Sequence, residues 1–200
     1  ASHANPVVDA ALPDGSRINI VYGTDVSMHG SNFTIRKFSE DIISIVNLIG
    51  WKTLSSQLSA YLWMVLSSHH SMMVVGETAS GKTTTLNSAL TFIDPNAKIV
   101  SIEDTPEVKV PHQNWTREVT RPASAGNPVD IFALVKAALR QRPNLIIIGE
   151  IRGEEGNMAF QAMQTGHPMV ATFHAGSVRA FVNRMTGKPI NVPPAFIALL

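Results

Sequence analysis

Apolar and polar residues change their rhythm along this chain. Near its start, "LPDGSRINIVYG" (residues 12–23) sets a Pro-Asp-Gly turn ahead of a strand-like run over 17–22. After a polar stretch, "SNFTIRKF" (31–38) alternates, with Phe33 and Ile35 on one face, and reads as a second strand. Ile42, Ile45, Val46 and Ile49 then recur at helical spacing, with Ser39 as the candidate cap and Gly50 as the stop. From residue 53 the texture shifts. Leu58, Tyr61, Leu62 and Val65 make a helical stripe, and short apolar runs follow at 72–75, 98–102 ("KIVSI"), 145–148 ("LIII") and 169–173 ("MVATF"). Between them lie further helical stripes, Ile131, Leu134, Val135 and Ala138, then Val178, Phe181, Val182 and Met185. Continuously apolar strands that alternate with helices predict an α/β fold with a mostly parallel sheet covered on both faces. The expected organisation is the end of a small β-rich domain over 1–38, a connecting helix or linker over 39–52, and an α/β domain over 53–200.

Composition narrows the class. At 200 residues with 44% apolar and 16% charged residues, the chain has enough apolar material for a sizeable core. A formal net charge of +1 offers no broad electrostatic footprint for nucleic acid. Without cysteine there are no disulfides and no thiolate metal sites. No apolar run approaches the roughly 18 residues of a membrane span, and no basic segment followed by an apolar one opens the chain. It begins at Ala1 and stops in an apolar pattern at 196–200, so it reads as a piece of something longer, cut at both ends.

Chemistry enters at "GETASGKTTT", hard against the run at 72–75. Gly76, Glu77, Thr78, Ala79, Ser80, Gly81, Lys82 and Thr83 match G-x-x-x-x-G-K-[ST], and Thr84 continues into a helix-compatible run to residue 93. Glycines let backbone amides face inward as an anion nest; Lys82 reaches the β- and γ-phosphates; the Thr83 hydroxyl serves Mg²⁺. The helix starting near Lys82 turns its positive end to the phosphates.

Acids stand at other strand ends. "NLIIIGEIRGEE" (144–155) ends an apolar run in Gly149-Glu150. Glu150 is the candidate to polarise an attacking water; a salt bridge with Arg152 or a helix cap is the plainer alternative. The usual Mg²⁺-holding Asp position is Gly149 here. "SIEDTPEV" (101–108) carries Glu103 and Asp104 at a strand end, readable as site acids or as a charged loop. His174 in "TGHPMVATFHAGS" precedes a small-residue turn, where it would sense a γ-phosphate or simply pack. Metal binding by His167 and His174 is disfavoured by their spacing. His69, His70 and His112 read as surface or packing residues.

The phosphate loop, "SIEDTPE", "LRQRPNLIIIGEIRGEE" and "QTGHPMVATFHAGS", in that order, resemble the type II/type IV secretion ATPase superfamily, nearest its archaeal branch. The resemblance covers about residues 5–194. It implies a RecA-like P-loop NTPase core, ATP and Mg²⁺ as ligands, and a homohexameric ring in the full-length protein. It also implies a motor for protein secretion or for type IV pilus-like or archaellum filaments, acting from the cytoplasmic side through a polytopic membrane partner. By the same resemblance Glu150 is the catalytic glutamate, Glu103 lies in an acidic box near metal and water, and His174 belongs to a histidine box. Arg17 and Arg36 match arginines that the N-terminal domain brings to the nucleotide. Arg140, Arg142 and Arg152 match positions expected to serve subunit contacts or loop geometry. The runner-up is a RecA-like nucleic-acid motor, a helicase or packaging enzyme; a regulatory module that binds ATP with little turnover is a third reading.

Overall fold

The computed structural model describes residues 1–37, 42–121 and 126–200. The chain divides into two units, Ala1–Asp41 and Ile42–Leu200.

In the first unit, β1 (Val7–Ala11), β2 (Arg17–Val21) and β3 (Asn32–Arg36) form an antiparallel sheet in chain order. The Pro-Asp-Gly segment turns β1 into β2. Asp14 accepts from the Ser16 amide and hydroxyl, both at 2.9 Å, and Gly15 takes φ 83°, the left-handed region glycine tolerates. Register and the period of two put Val8, Ile18, Ile20, Phe33 and Ile35 on one face. Asp9, Arg17, Asn19, Thr34 and Arg36 share the other. The first strand, VVDAA, was not legible as such, because five residues with a central Asp carry neither a clean alternation nor a full apolar run.

The second unit opens with α1 (Ile45–Gly50). Its cap is Ser44, whose hydroxyl accepts from the Asn47 amide while Asn47 bonds back to the Ser44 amide. The cap expected at Ser39 lies outside the described residues. Next comes α2 (Ser56–Ser67), capped by Ser55. Of its expected stripe, Leu58 and Tyr61 are exposed; the helix buries Ser59 and Leu66 instead, and Trp63 stacks on Phe92 at 5.7 Å.

The sheet that follows has five parallel strands: β4 (Met72–Gly76), β5 (Ile99–Glu103), β6 (Trp115–Val119), β7 (Leu145–Ile151) and β8 (Met169–His174), in the order β4-β8-β7-β5-β6. Helix α3 (Lys82–Leu90) packs on one face and α4 (Ile131–Arg140), α5 (Glu155–Gln164) and α6 (Val178–Thr186) on the other. Successive residues of one strand feed both cores. Leu145 and Ile147 join Leu86 and Leu90, whereas Ile146 and Ile148 join Phe160 and Phe181. That double burial is why these strands read as unbroken apolar runs. The expected α/β class is the one observed. Helix α5 packs so closely that a Cβ on Gly156 would stand 2.7 Å from Ile190 and 2.9 Å from Ile151. His112 is buried, as a packing residue, with Nε2 3.3 Å from the Ile93 carbonyl.

Candidate active site

Parallel strands present all their carboxyl ends at one edge of the sheet, so a site assembled there draws on the loops that leave β4, β8, β7 and β5. On the first of these, β4 ends at Gly76 and α3 starts at Lys82 with Gly81 as its N-cap, at φ 82°. Ala79 also sits at positive φ, 60°. Left-handed residues of this kind fold a loop back on itself, the backbone conformation from which anion-binding nests of amides are built. No side chain caps α3, which leaves its first amides for a ligand. The loop's own side chains close in on Gly76: a Cβ there would meet Ser80 Oγ at 2.4 Å and Lys82 Cγ at 3.3 Å. Lys82 Nζ donates to the Glu77 carbonyl at 2.8 Å and so draws the loop together from inside.

Next in the sheet, β8 sets His174 directly opposite Gly76 in register, and the Ala175 amide donates to the Gly76 carbonyl at 3.3 Å. Arg184 of α6 donates to the His174 carbonyl and lays its guanidinium over Phe173, 4.8 Å from the ring centre. The turn after His174 runs against the phosphate loop: a Cβ on Gly176 would lie 2.8 Å from Glu77 Oε1.

Strand β7 carries Glu150, 29% exposed in its side chain. Its Oε2 accepts from Arg152 Nη2 at 2.5 Å, so the salt bridge weighed for Glu150 is present in this arrangement. Gly149 before it lies close against the neighbouring strand. A Cβ there would stand 3.1 Å from Glu103 Cγ.

Glu103, at the end of β5, is 1% exposed. Its Oε1 accepts from the amides of Glu107 and Val108, both at 2.6 Å, and Oε2 lies 3.5 Å from Arg117 Nε without a hydrogen bond. The carboxylate thus ties down the loop that follows its own strand. That loop delivers an acid that sequence reasoning passed over. The Thr83 hydroxyl stands 3.4 Å from Glu107 Oε2, and Asn87 of α3 clamps the same loop from below, donating to the Glu107 carbonyl and accepting from the Lys109 amide, each at 3.0 Å. The available signal was the third acid of "EDTPE", four residues past Glu103.

Burial pushes the Glu103 carboxyl above its ordinary value of 4.5, against the opposing pull of the two amides and Arg117. The folded chain then binds that proton more tightly than the unfolded chain. Stability from this group is therefore complete at acid pH and is lost as pH rises from 4.5 through the raised folded value. Glu103→Gln stays neutral and keeps an acceptor for the two amides. Its melting temperature should gain on the wild type as pH moves from acid to neutral; a difference that does not vary with pH removes the buried charge as its cause.

The structure gathers Gly76 through Thr84, His174, Glu150 and Glu103 at adjoining strand ends of one sheet. Arg17 and Arg36 belong to the first unit, where they are direct cross-strand partners of β2 and β3.

The sequence profile of the family described as "Type II/IV secretion system protein" matches residues 1–191. The chain belongs to the type II/IV secretion system protein family. Within that family it is 58% identical to the uncharacterised protein MJ0900 of Methanocaldococcus jannaschii, over 98% of this chain and 36% of MJ0900. It is 29% identical to Protein VirB11 of Agrobacterium fabrum, over 88% of this chain and 60% of that protein. This secretion-family chain therefore spans less than two thirds of the length of either relative. Its fold is also that of solved members. The VirB11 ATPase from the Brucella suis type IV secretion system, in complex with sulphate, superposes with a TM-score of 0.61 at 24% identity, over 98% of this chain and 66% of that one. The pilus retraction motor PilT with bound ADP gives 0.65 at 24% identity, over 92% of this chain and 52% of PilT. The RecA-like architecture expected of a secretion ATPase is the one this chain adopts.

Proposed function

We propose that this chain is the nucleotide-handling part of an ATP-hydrolysing motor that powers protein secretion or the assembly of type IV pilus-like or archaellum filaments. The observation that carries the reading is the edge where a phosphate loop, His174 and Glu150 meet on adjacent strands of a secretion-family fold. The named relatives, a type IV secretion ATPase and a pilus retraction motor, support the class of work.

In this reading each residue takes a role that its position supports. Amides of the loop and of the free α3 terminus bind the phosphates, and Lys82 exchanges the Glu77 carbonyl for β- and γ-phosphate oxygens. Thr83 and, across from it, Glu107 would hold Mg²⁺, directly or through water. Among the described residues no three His, Cys, Asp or Glu cluster as a metal cage, which suits an ion that takes its remaining ligands from phosphate and water. Bound there, Mg²⁺ neutralises charge on the phosphates. Glu103 positions the Glu107 loop through Oε1, which accepts from the Glu107 and Val108 amides, and its Oε2, without a hydrogen bond here, is the oxygen that would face the ion or its water. Glu150 orients and polarises water, and His174, joined to Gly76 by strand pairing, reports on the γ-phosphate. Arg17 and Arg36 lie opposite each other in register on one side of their sheet, so a single face presents both guanidinium groups. Their arrival at the phosphates would stabilise transition-state charge.

The full-length motor would act as a homohexamer at the cytoplasmic face of a membrane, bound there to a polytopic platform protein. No helix among the described residues is long and apolar enough to cross a membrane, so a partner supplies that attachment in this reading. ATP turnover by the complete protein should be unchanged within about twofold by single-stranded DNA and should rise when the platform protein is co-reconstituted. Strong stimulation by DNA alone would favour the helicase or packaging reading instead.

A further inference from the structure

Arg152 leaves the end of β7 two residues past Glu150, and its guanidinium lies between two acids. Nη2 donates to Glu150 Oε2 at 2.5 Å, and Nη1 stands 3.7 Å from Asp104 Oδ2. Asp104 is steadied by the Thr120 hydroxyl, which donates to Oδ1 at 3.1 Å. The main chain beneath Arg152 is pinned, because Glu155 Oε1 accepts from the amides of Arg152 and Gly153 at 2.6 and 2.7 Å. The side chain above it is 64% exposed and borders a cavity of about 800 Å³ that Asp104 and Thr120 also line. A fixed backbone and an exposed fork that is hydrogen-bonded to one carboxylate while already ion-paired at 3.7 Å with a second are the parts of an exchange.

Which acid the fork holds decides what Glu150 can do. A carboxylate engaged by a guanidinium is charge-compensated and has one oxygen already accepting. Polarising a water needs that carboxylate uncompensated and within reach of the water's proton. Resting on the reading of Glu150 as the water-polarising group, we infer that Arg152 is a positioning residue that restrains Glu150 and releases it by transferring to Asp104. The arrangement seen here is the restrained one. The guanidinium is held protonated more firmly than usual, first by its hydrogen bond to Glu150 and further by the charges of Glu150, Asp104 and Glu155, so it stays a cation throughout the exchange.

The test uses the complete protein with ATP, reading steady-state kcat and nucleotide Kd separately. Asp104→Asn deprives Arg152 of its second partner and should lower kcat about fivefold with Kd unchanged. Arg152→Gln frees Glu150, so kcat should stay at or above the wild-type value, and adding Asp104→Asn in that background should change it less than about twofold. An equal loss from Asp104→Asn with and without Arg152, or a fall in Arg152→Gln to the level of Glu150→Gln, overturns the exchange. Should Arg152→Gln not fold, Arg152→Lys carries the same comparison. A single ammonium cannot span both acids, so the Asp104→Asn effect should shrink there too; an undiminished effect counts against the exchange. Glu150→Gln separates the two readings. Full turnover in that variant removes Glu150 as the polarising group, whereas loss there, with equal Asp104 effects in both backgrounds, sinks the exchange alone.

Discussion

Glu150→Gln should lower ATP turnover by about a hundredfold or more while nucleotide affinity stays within about threefold of the wild type. The separation follows from position. Glu150 stands on β7, and the phosphate loop follows β4, with β8 between them, so the carboxylate has no part in building the cradle that binds phosphate. It accepts from Arg152 here, and glutamine keeps an acceptor oxygen for that bond, so the fold should tolerate the change. What glutamine cannot do is carry the negative charge that draws a proton from water. Single-turnover hydrolysis beside calorimetric titration with a slowly hydrolysed ATP analogue checks both halves. Intact hydrolysis moves the polarising role to another acid, and Glu107 becomes the first candidate because it faces Thr83. A large loss of affinity would instead mean that the strand end has been disturbed.

Much of this site was readable because its chemistry follows from local pattern. The phosphate loop is a contiguous run of small residues with a lysine, preceded by a strand and followed by a helix, and β4 and α3 sit at those places. Strands buried on both faces announced themselves as apolar runs for the same reason that the parallel sheet exists. What escaped depends on neighbours distant in sequence. Strand β6, WTREV, lies at the sheet edge with Arg117 and Val119 exposed, so it carries no apolar run. Helix α5 contains Gly156 and Asn157, both poor helix formers, in its first turn, and the place of Gly156 is set by the close approach of Ile151 and Ile190. Glycine at 149, which looked like a departure from the expected acid, packs tightly beside the Glu103 side chain of the next strand, a closeness that spacing along the chain does not show. In turn the loop roles of Glu103 and Glu107 are set by hydrogen bonds to backbone amides and to α3, which spacing along the chain does not reveal.

Lys82→Ala should weaken ATP binding by about two orders of magnitude, and the loss should depend on how many phosphates the ligand carries. The ammonium bonds to the Glu77 carbonyl across the loop, a contact it can give up to phosphate oxygens at little cost because one charge-assisted bond replaces a weaker one. Removing it leaves the loop amides and the α3 terminus to hold the anion, with no cation in their concavity. A truncated charge pair of this kind costs about 2–5 kcal/mol, and each 1.4 kcal/mol is about tenfold. ATP and ADP should therefore lose affinity steeply, whereas AMP, whose single phosphate lies short of the lysine, should change by less than about threefold. The fold itself should barely notice, since the bond to Glu77 is solvent-exposed, and melting temperatures of the two proteins without nucleotide should agree closely. Equal losses for all three nucleotides would place Lys82 outside phosphate recognition. Retained ATP affinity, with the loop still bent by Gly81 and Ala79 at positive φ, would assign the binding to the amide nest alone.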